Sequence, residues 1–393
     1  MIRHLLKLVW HRKRTNALLI AEIFASFIIV FVVVTMALSL LLRWHQPLGF
    51  DYHDVWTVRL SGIEPDFEAA DDAHRPVVEQ LLREVRSFPQ VVDAAMSATP
   101  PYGNATWDSI RDFEGRTVRL TCDSVTDGFA NVMRMRVLRG RWFTPADDAL
   151  SYQPMVIDAD VARELFGDRD PVGQKFDKDE RIIGVVAPYR KNGEVSATAE
   201  HFAFYRKSLT KPNGPVPRMI ILRVRPGTSP DFEQTIAQRL HAVSPETTVH
   251  VHRLERTRDG FLRVRTSPIL FLGIVSLFLI SMVALGLTGV LWQTVTRRTR
   301  EIGLRRAVGA SGTNVRAQIL GEVALLTTLA LLLGTIIVAQ LPLLGAFRLV
   351  QPAVFVSGMA AALATIYAIT LLCGAYPSWL ASTVEPAEAL RYE

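Results

Sequence analysis

The chain has 393 residues, 49% of them hydrophobic and only 21% charged, and its mean hydropathy is positive, which suits a membrane protein carrying one soluble block. The formal net charge is +6, but residues 43–267 hold 31 basic and 32 acidic groups, against 13 and 6 in the remainder. The basic excess therefore flanks apolar segments instead of patching a folded domain, which argues against a nucleic-acid binder.

Residues 1–16 hold Arg3, Lys7, Trp10, Arg12, Lys13 and Arg14, the pattern of an amphipathic helix on the cytoplasmic membrane surface. Residues 17–42 form the first apolar run, longer than the ~20 residues a helix needs to cross hydrocarbon. It is too long for a signal-peptide core, and no small-residue cleavage site follows it. Glu22 lies near its basic end, within reach of the interface, of Arg14 or of Arg12, or as a functional intramembrane acid.

Residues 43–267 are the soluble block, and its two ends match. Val55 to Leu60 reads as a strand, Asp71 to Phe88 as an amphipathic helix through Val77, Leu81, Leu82 and Val85, and Val91 to Ser97 as a strand. Near the far end, Arg218 to Arg225 reads as a strand, Asp231 to Val243 as a helix and Thr247 to Leu254 as a strand. Two βαβ-like units, over residues 55–104 and 213–256, therefore flank an insertion at 105–212, within one α+β domain built from both ends. The insertion reads as mostly β, with strands at Pro154 to Ile157 and Arg181 to Val186 and a short helix at Ala159 to Phe166. Trp142 and Phe143 are expected to pack its core.

Thr266-Ser-Pro268 opens the second span, 268–292, with proline placed in the first helical turn. A basic segment follows at 293–316, then a third span at 317–340 with Glu322 near its basic end, whose role the spacing leaves open. A short turn at 341–352, a fourth span at 353–376 and a tail at 377–393 complete the chain. The fold class expected is an α-helical membrane protein with four transmembrane helices and a large α+β extracytoplasmic domain. The first flank and the basic segment together hold 11 Lys and Arg and a single carboxylate, so both termini and that segment face the cytoplasm and the soluble block lies outside.

Within the basic segment, Arg297, Glu301 and Arg305 are spaced for i,i+4 ion pairs on a helix. Gly309 suits a C-cap, and Ser311 can cap the helix that follows. Leu304, Ala307 and Val308 share one face. Ile302 points the other way between Arg305 and Arg306, either as a docking knob for another protein or as part of a solvated basic loop that only sets orientation. No G-x-x-x-x-G-K-[ST] or H-E-x-x-H string occurs, and Gly309-Ala-Ser-Gly312 lacks the spacing of a nucleophile elbow. His250 and His252 share a strand face but lack a third ligand nearby. The acids Asp158 and Asp160, and Asp177, Asp179 and Glu180, could form carboxylate pairs for catalysis, but such clusters are more often solvated turns, which is the expectation for both. Cys122 and Cys373 fall in different regions, so no disulfide is expected.

Three strings together resemble the MacB/FtsX-type permease family of ABC transporters: Arg300-Glu-Ile-Gly-Leu-Arg-Arg-Ala-Val-Gly-Ala-Ser311; Tyr376-Pro-Ser-Trp379 with Glu385-Pro-Ala-Glu-Ala-Leu-Arg391; and Leu138-Arg-Gly-Arg-Trp-Phe143 with Leu165-Phe-Gly167 and Asp170-Pro-Val-Gly173. The resemblance implies a permease that dimerises with a second copy or with a related permease and whose coupling helix seats in a separate ATPase, with Arg300, Glu301, Ile302, Gly303, Arg305, Arg306 and Gly309 on the coupling motif. It implies ATP and Mg bound by the partner ATPase, with no cofactor on this chain, and a periplasmic core made of a porter-like part and an inserted sabre-like part. It further implies an inner-membrane efflux system with a periplasmic adaptor and an outer-membrane exit duct. An FtsX-like regulator of cell-wall hydrolases and a lipoprotein-extraction permease share the layout.

Overall fold

The computed structural model describes residues 13–62, 71–177, 179–196, 200–211, 215–298, 303–304, 307–308, 311–345 and 350–383. The chain divides into two compact units: Arg43–Arg265, and Met1–Leu42 with Thr266–Glu393. In chain order the elements begin with helix α1 (Lys13–Trp44), β1 (Val55–Ser61), α2 (Asp71–Ser87), β2 (Val91–Ser97), β3 (Trp107–Phe113) and β4 (Arg116–Val125). They continue with α3 (Phe129–Met133), β5 (Val137–Gly140), β6 (Gln153–Asp158), α4 (Ala159–Phe166), β7 (Lys175–Asp177), β8 (Glu180–Val186) and β9 (Phe202–Arg206). The last are β10 (Met219–Val224), α5 (Phe232–Val243), β11 (Thr248–Arg253), α6 (Leu254–Arg297), α7 (Gly312–Gln340) and α8 (Pro352–Thr383).

The unit Arg43–Arg265 is built on one sheet of order β11-β1-β10-β2-β4-β9-β6-β8-β5, with β3 on β4 and β7 on β8. β10 lies between β1 and β2 and is antiparallel to both, while β1 lies between β10 and β11 and is antiparallel to both. Strands β1 and β2 are thus parallel and joined through α2, and β10 and β11 are parallel and joined through α5. Two split βαβ units interleave, which is the ferredoxin-like arrangement. Both faces of this sheet are covered. Trp56, Val58 and Leu60 of β1 and Ile220 and Leu222 of β10 pack on Leu81, Val85, Ile236 and Leu240 of the two helices. The alternate residues Val55 and Ile221 join a second cluster with Phe129, Phe202, Phe204 and Tyr189. Alternation along each strand sends successive side chains to opposite faces, and each fully buried large apolar side chain contributes about 1.5–3 kcal/mol.

The inserted strands extend the same sheet. Beyond β2 the ladder narrows to one residue pair, Ser97 with Val125 of β4. Asp123, fully buried, reinforces that seam by accepting from Ser97 Oγ at 2.6 Å and from the backbone of Ala98 and Thr99 at 3.0 and 2.8 Å. Burial pushes the Asp123 carboxyl up to about 6, against the pull of those donors and of the Lys191 charge. Past the seam, Val161, Leu165 and Phe166 of α4 cover Met155 and Ile157 of β6 in a third cluster.

Four long apolar helical stretches, Ala17–Trp44, Leu254–Gln293, Gly312–Gln340 and Pro352–Leu380, are each long enough to cross a membrane, and most of their length falls in the other unit. They share one core, with Ile23, Phe27 and Phe31 of α1, Leu287 of α6, Val323 and Leu331 of α7 and Ile366 of α8. Gly334 admits the Phe27 ring, since a Cβ there would lie 2.5 Å from Cδ1, the small-residue packing that membrane helices use. Pro268 differs from expectation. The helix begins at Leu254 and carries Pro268 inside it, because the polar stretch before the apolar run is itself helical. Hydropathy reports where a helix enters lipid, whereas its hydrogen-bonded start is set by the backbone after β11. At the other end of this unit, α8 continues through Pro377 to Thr383.

Candidate coupling site

Helix α6 ends and α7 begins on either side of the basic segment, and their ends are fastened together. Val295 packs with Val315 and Ile319. Arg298 Nη1 donates to both carboxylate oxygens of Glu322 at 3.1 and 3.4 Å, with the two side chains 19% and 18% exposed. Gln318, four residues before Glu322 on α7, adds a contact at 3.5 Å. Ser311 is the N-cap of α7, accepting from the backbone of Asn314 at 3.3 Å, as its position after the glycine suggested. The clip thus closes the loop at both the apolar and the charged level.

Inside the clip, the backbone of Val308 donates to the carbonyl of Leu304 at 3.1 Å, a helical turn. Gly303 is buried, whereas Leu304 and Val308 are 55% and 84% exposed. Arg300, Glu301, Ile302, Arg305, Arg306 and Gly309 lie outside the described residues. Two exposed apolar side chains at i,i+4 on a short polar segment form a small patch that the site set Arg300 to Gly309 did not include. The pairing of Arg298 with Glu322 was also missed. Its signal is a cation just past the end of one long helix and a carboxylate about three turns into the next, a pairing visible only once the two helices are known to be antiparallel neighbours. Glu22 faces α6, where a Cβ on Gly286 would stand 3.2 Å from its Oε2.

The sheet domain's strings resolve into structural roles. Gly140 has φ +66°, and a Cβ there would lie 2.3 Å from the carbonyl oxygen of Ile183, so this position requires glycine. Arg141 grips Asp147 with two hydrogen bonds at 2.8 and 2.5 Å, Trp142 Nε1 donates to the carbonyl of Asp127 at 3.0 Å, and Phe143 is buried. Asp158 caps α4, Asp160 pairs with Arg163, and Asp177 and Glu180 both pair with Arg111. His250 and His252 are exposed on β11, and among the described residues no three or more metal-ligating side chains converge.

Residues 16–239 match the family model of the MacB-like periplasmic core domain, and residues 273–386 match that of the FtsX-like permease C-terminal. The macrolide export ATP-binding/permease protein MacB of Bordetella avium is 26% identical over 80% of this chain and 48% of that protein. The protein of the same name from Agrobacterium fabrum is 31% identical over 70% of this chain and 43% of that one. The chain therefore spans less than half the length of these two relatives. The crystal structure of the periplasmic region of MacB from Actinobacillus actinomycetemcomitans aligns with 54% of this chain and 94% of that one, at 13% identity and a TM-score of 0.38. Four apolar helices and a two-part sheet domain of the periplasmic core type define a membrane permease of the ABC transporter class. The chain belongs to the MacB/FtsX-type permease family.

Proposed function

We propose that this chain is the permease subunit of an efflux transporter, driven by an ABC ATPase on a separate polypeptide that binds ATP and Mg. No phosphate loop of the P-loop type occurs within these 393 residues, which supports a nucleotide site outside them. The observation that carries the reading is the clipped basic segment. With its ends fastened by Arg298–Glu322 and by Val295, Val315 and Ile319, a push on the segment moves α6 and α7 instead of bending a slack loop. Helix α6 is unbroken from Leu254 to Arg297, which suits it to carry that displacement.

The distribution of Lys and Arg supports an inner-membrane protein with cytoplasmic termini and a periplasmic sheet domain. Leu270, Phe271, Ile274, Leu277, Phe278 and Leu285 leave α6 with an exposed apolar row, suited to lipid and to a second permease copy. A periplasmic adaptor and an outer-membrane exit duct complete the proposed assembly, and macrolides, named for the relatives, are the first substrates to assay.

The test replaces Ile302 with Asp. A charge set into an apolar docking pocket costs about 2 kcal/mol or more, roughly 30-fold in affinity. The variant should insert normally, lose co-purifying ATPase and lose efflux. Undiminished efflux overturns the docking role. A murein hydrolase co-purifying with the wild type in place of adaptor and duct would instead mark an FtsX-like regulator, and a periplasmic lipoprotein carrier would mark an extraction permease.

A further inference from the structure

The loop at residues 188–196, between β8 and β9, meets three separate stretches of its own unit. Arg190, 5% exposed, donates from Nη1 to the carbonyl of Arg43 at 2.9 Å, and its backbone donates to the carbonyl of Leu48 at 3.0 Å. A cation thereby joins the backbone N–H of Gln46 on a carbonyl at the C-terminal end of α1, where the helix dipole favours positive charge. Lys191, fully buried, donates through Nζ to the carbonyl of Ala105, and its own carbonyl accepts from the backbone of Tyr102 at 3.0 Å. Glu194 accepts two hydrogen bonds from Arg258 of α6, at 2.9 and 2.5 Å, with side chains only 6% and 16% exposed.

Tyr102 stands at the centre of these contacts. Its hydroxyl lies 3.5 Å from Glu194, and its ring packs edge-on to Phe50 after α1 and to Phe261 on α6, with centroids 6.0 and 5.9 Å away. Its φ is +58°, a left-handed backbone that costs a bulky residue of order 1–3 kcal/mol and that recurs at functional sites. Gly193 leaves room for it, since a Cβ there would lie 2.3 Å from the Tyr102 ring.

A buried ion pair is a poor source of net stability, but it fixes one relative placement of the groups it joins. We propose that Glu194, Arg258 and Tyr102 are positioning residues that key the start of α6 to the loop that also holds the end of α1. Displacement of either helix is then delivered to the sheet instead of being lost as local slack. This inference rests on the coupling function proposed above.

The experiment uses the full chain with its co-purified ATPase in lipid nanodiscs and a fluorophore on Ile110→Cys, an exposed site on β3. Addition of ATP and Mg should change the emission of the otherwise unaltered protein. Glu194→Gln combined with Arg258→Gln removes both charges together, so no buried charge is left unpaired and folding is spared. This double variant should keep the ATPase and the wild-type unfolding temperature, yet lose the emission change. Asp147→Asn, which weakens the grip of Arg141 within the sheet domain and touches neither α1 nor α6, should keep it. A full response in the double variant, or an equal loss in Asp147→Asn, overturns the keying role. A wild-type chain that shows no response overturns the coupling function itself, and the keying role with it.

Discussion

Asp158 accepts from the backbone of Val161 at 2.9 Å to cap α4, and it is only 1% exposed. Burial pushes its pKa up from 3.8 to about 7, with the nearby Asp160 charge adding to the shift and backbone donors opposing it. A folded pKa above the unfolded one means that the native state holds the proton more tightly. The linked stabilisation is therefore complete below about pH 3.8 and is lost as pH rises through about 7. Asp158→Asn keeps the cap, because asparagine caps as well as aspartate, and removes the charge. Above pH 7 the variant should be more stable than the wild type by about 1–3 kcal/mol, with the gap closing towards pH 4, as urea unfolding at several pH values will read. A gap that widens on acidification would contradict the burial argument. In the sequence, Asp158 and Asp160 looked like one acidic turn. Spacing could not separate the buried N-cap from its half-buried neighbour in the first turn, since two acids one residue apart at a strand-to-helix junction look alike in sequence.

At the scale of elements, the fastening of α6 to α7 makes a separate prediction. Glu322→Gln leaves Arg298 facing a neutral amide in a mostly buried setting, and breaking such a pair costs up to ~3–5 kcal/mol when no water reaches it. The four helices should still insert, while limited trypsin digestion should cut the basic segment several-fold faster than in the wild type. Unchanged cleavage would show that the apolar contacts of Val295 close the clip unaided. Much of this level was legible in advance. The apolar spacing of α2 and the alternation in β1, β2 and β10 placed those elements to within a residue or two, because each has one clear burial face. Strand β9 was not read, since Phe202–Arg206 is buried on both faces and a five-residue run shows neither period. The hairpin of β3 and β4 was missed for the opposite reason. Trp107 and Ile110 are exposed, so β3 carries no burial signal.

For the whole molecule, the family and its four-span plan were readable from the order of strings, but the interleaving of the two βαβ units was not. Which strand slides between which is decided by pairing across more than 100 residues, and local periodicity does not report it. The unit Arg43–Arg265 encloses all three apolar clusters of the sheet domain. Residues 43–265 expressed alone should therefore unfold in one cooperative transition, with the circular dichroism of mixed helix and strand. A broad, non-cooperative melt would show that the domain depends on the spans for its core.

The seam at Ser97 and Val125 has a consequence for how such a domain diversifies. At this single strand-pair rung the sheet passes from the ferredoxin-like half to the inserted one, while the apolar cluster of Val55, Ile221, Phe129 and Phe204 still bridges both. New loops can be tried on the outer strands of the inserted half for another cargo without re-pairing the ferredoxin-like strands.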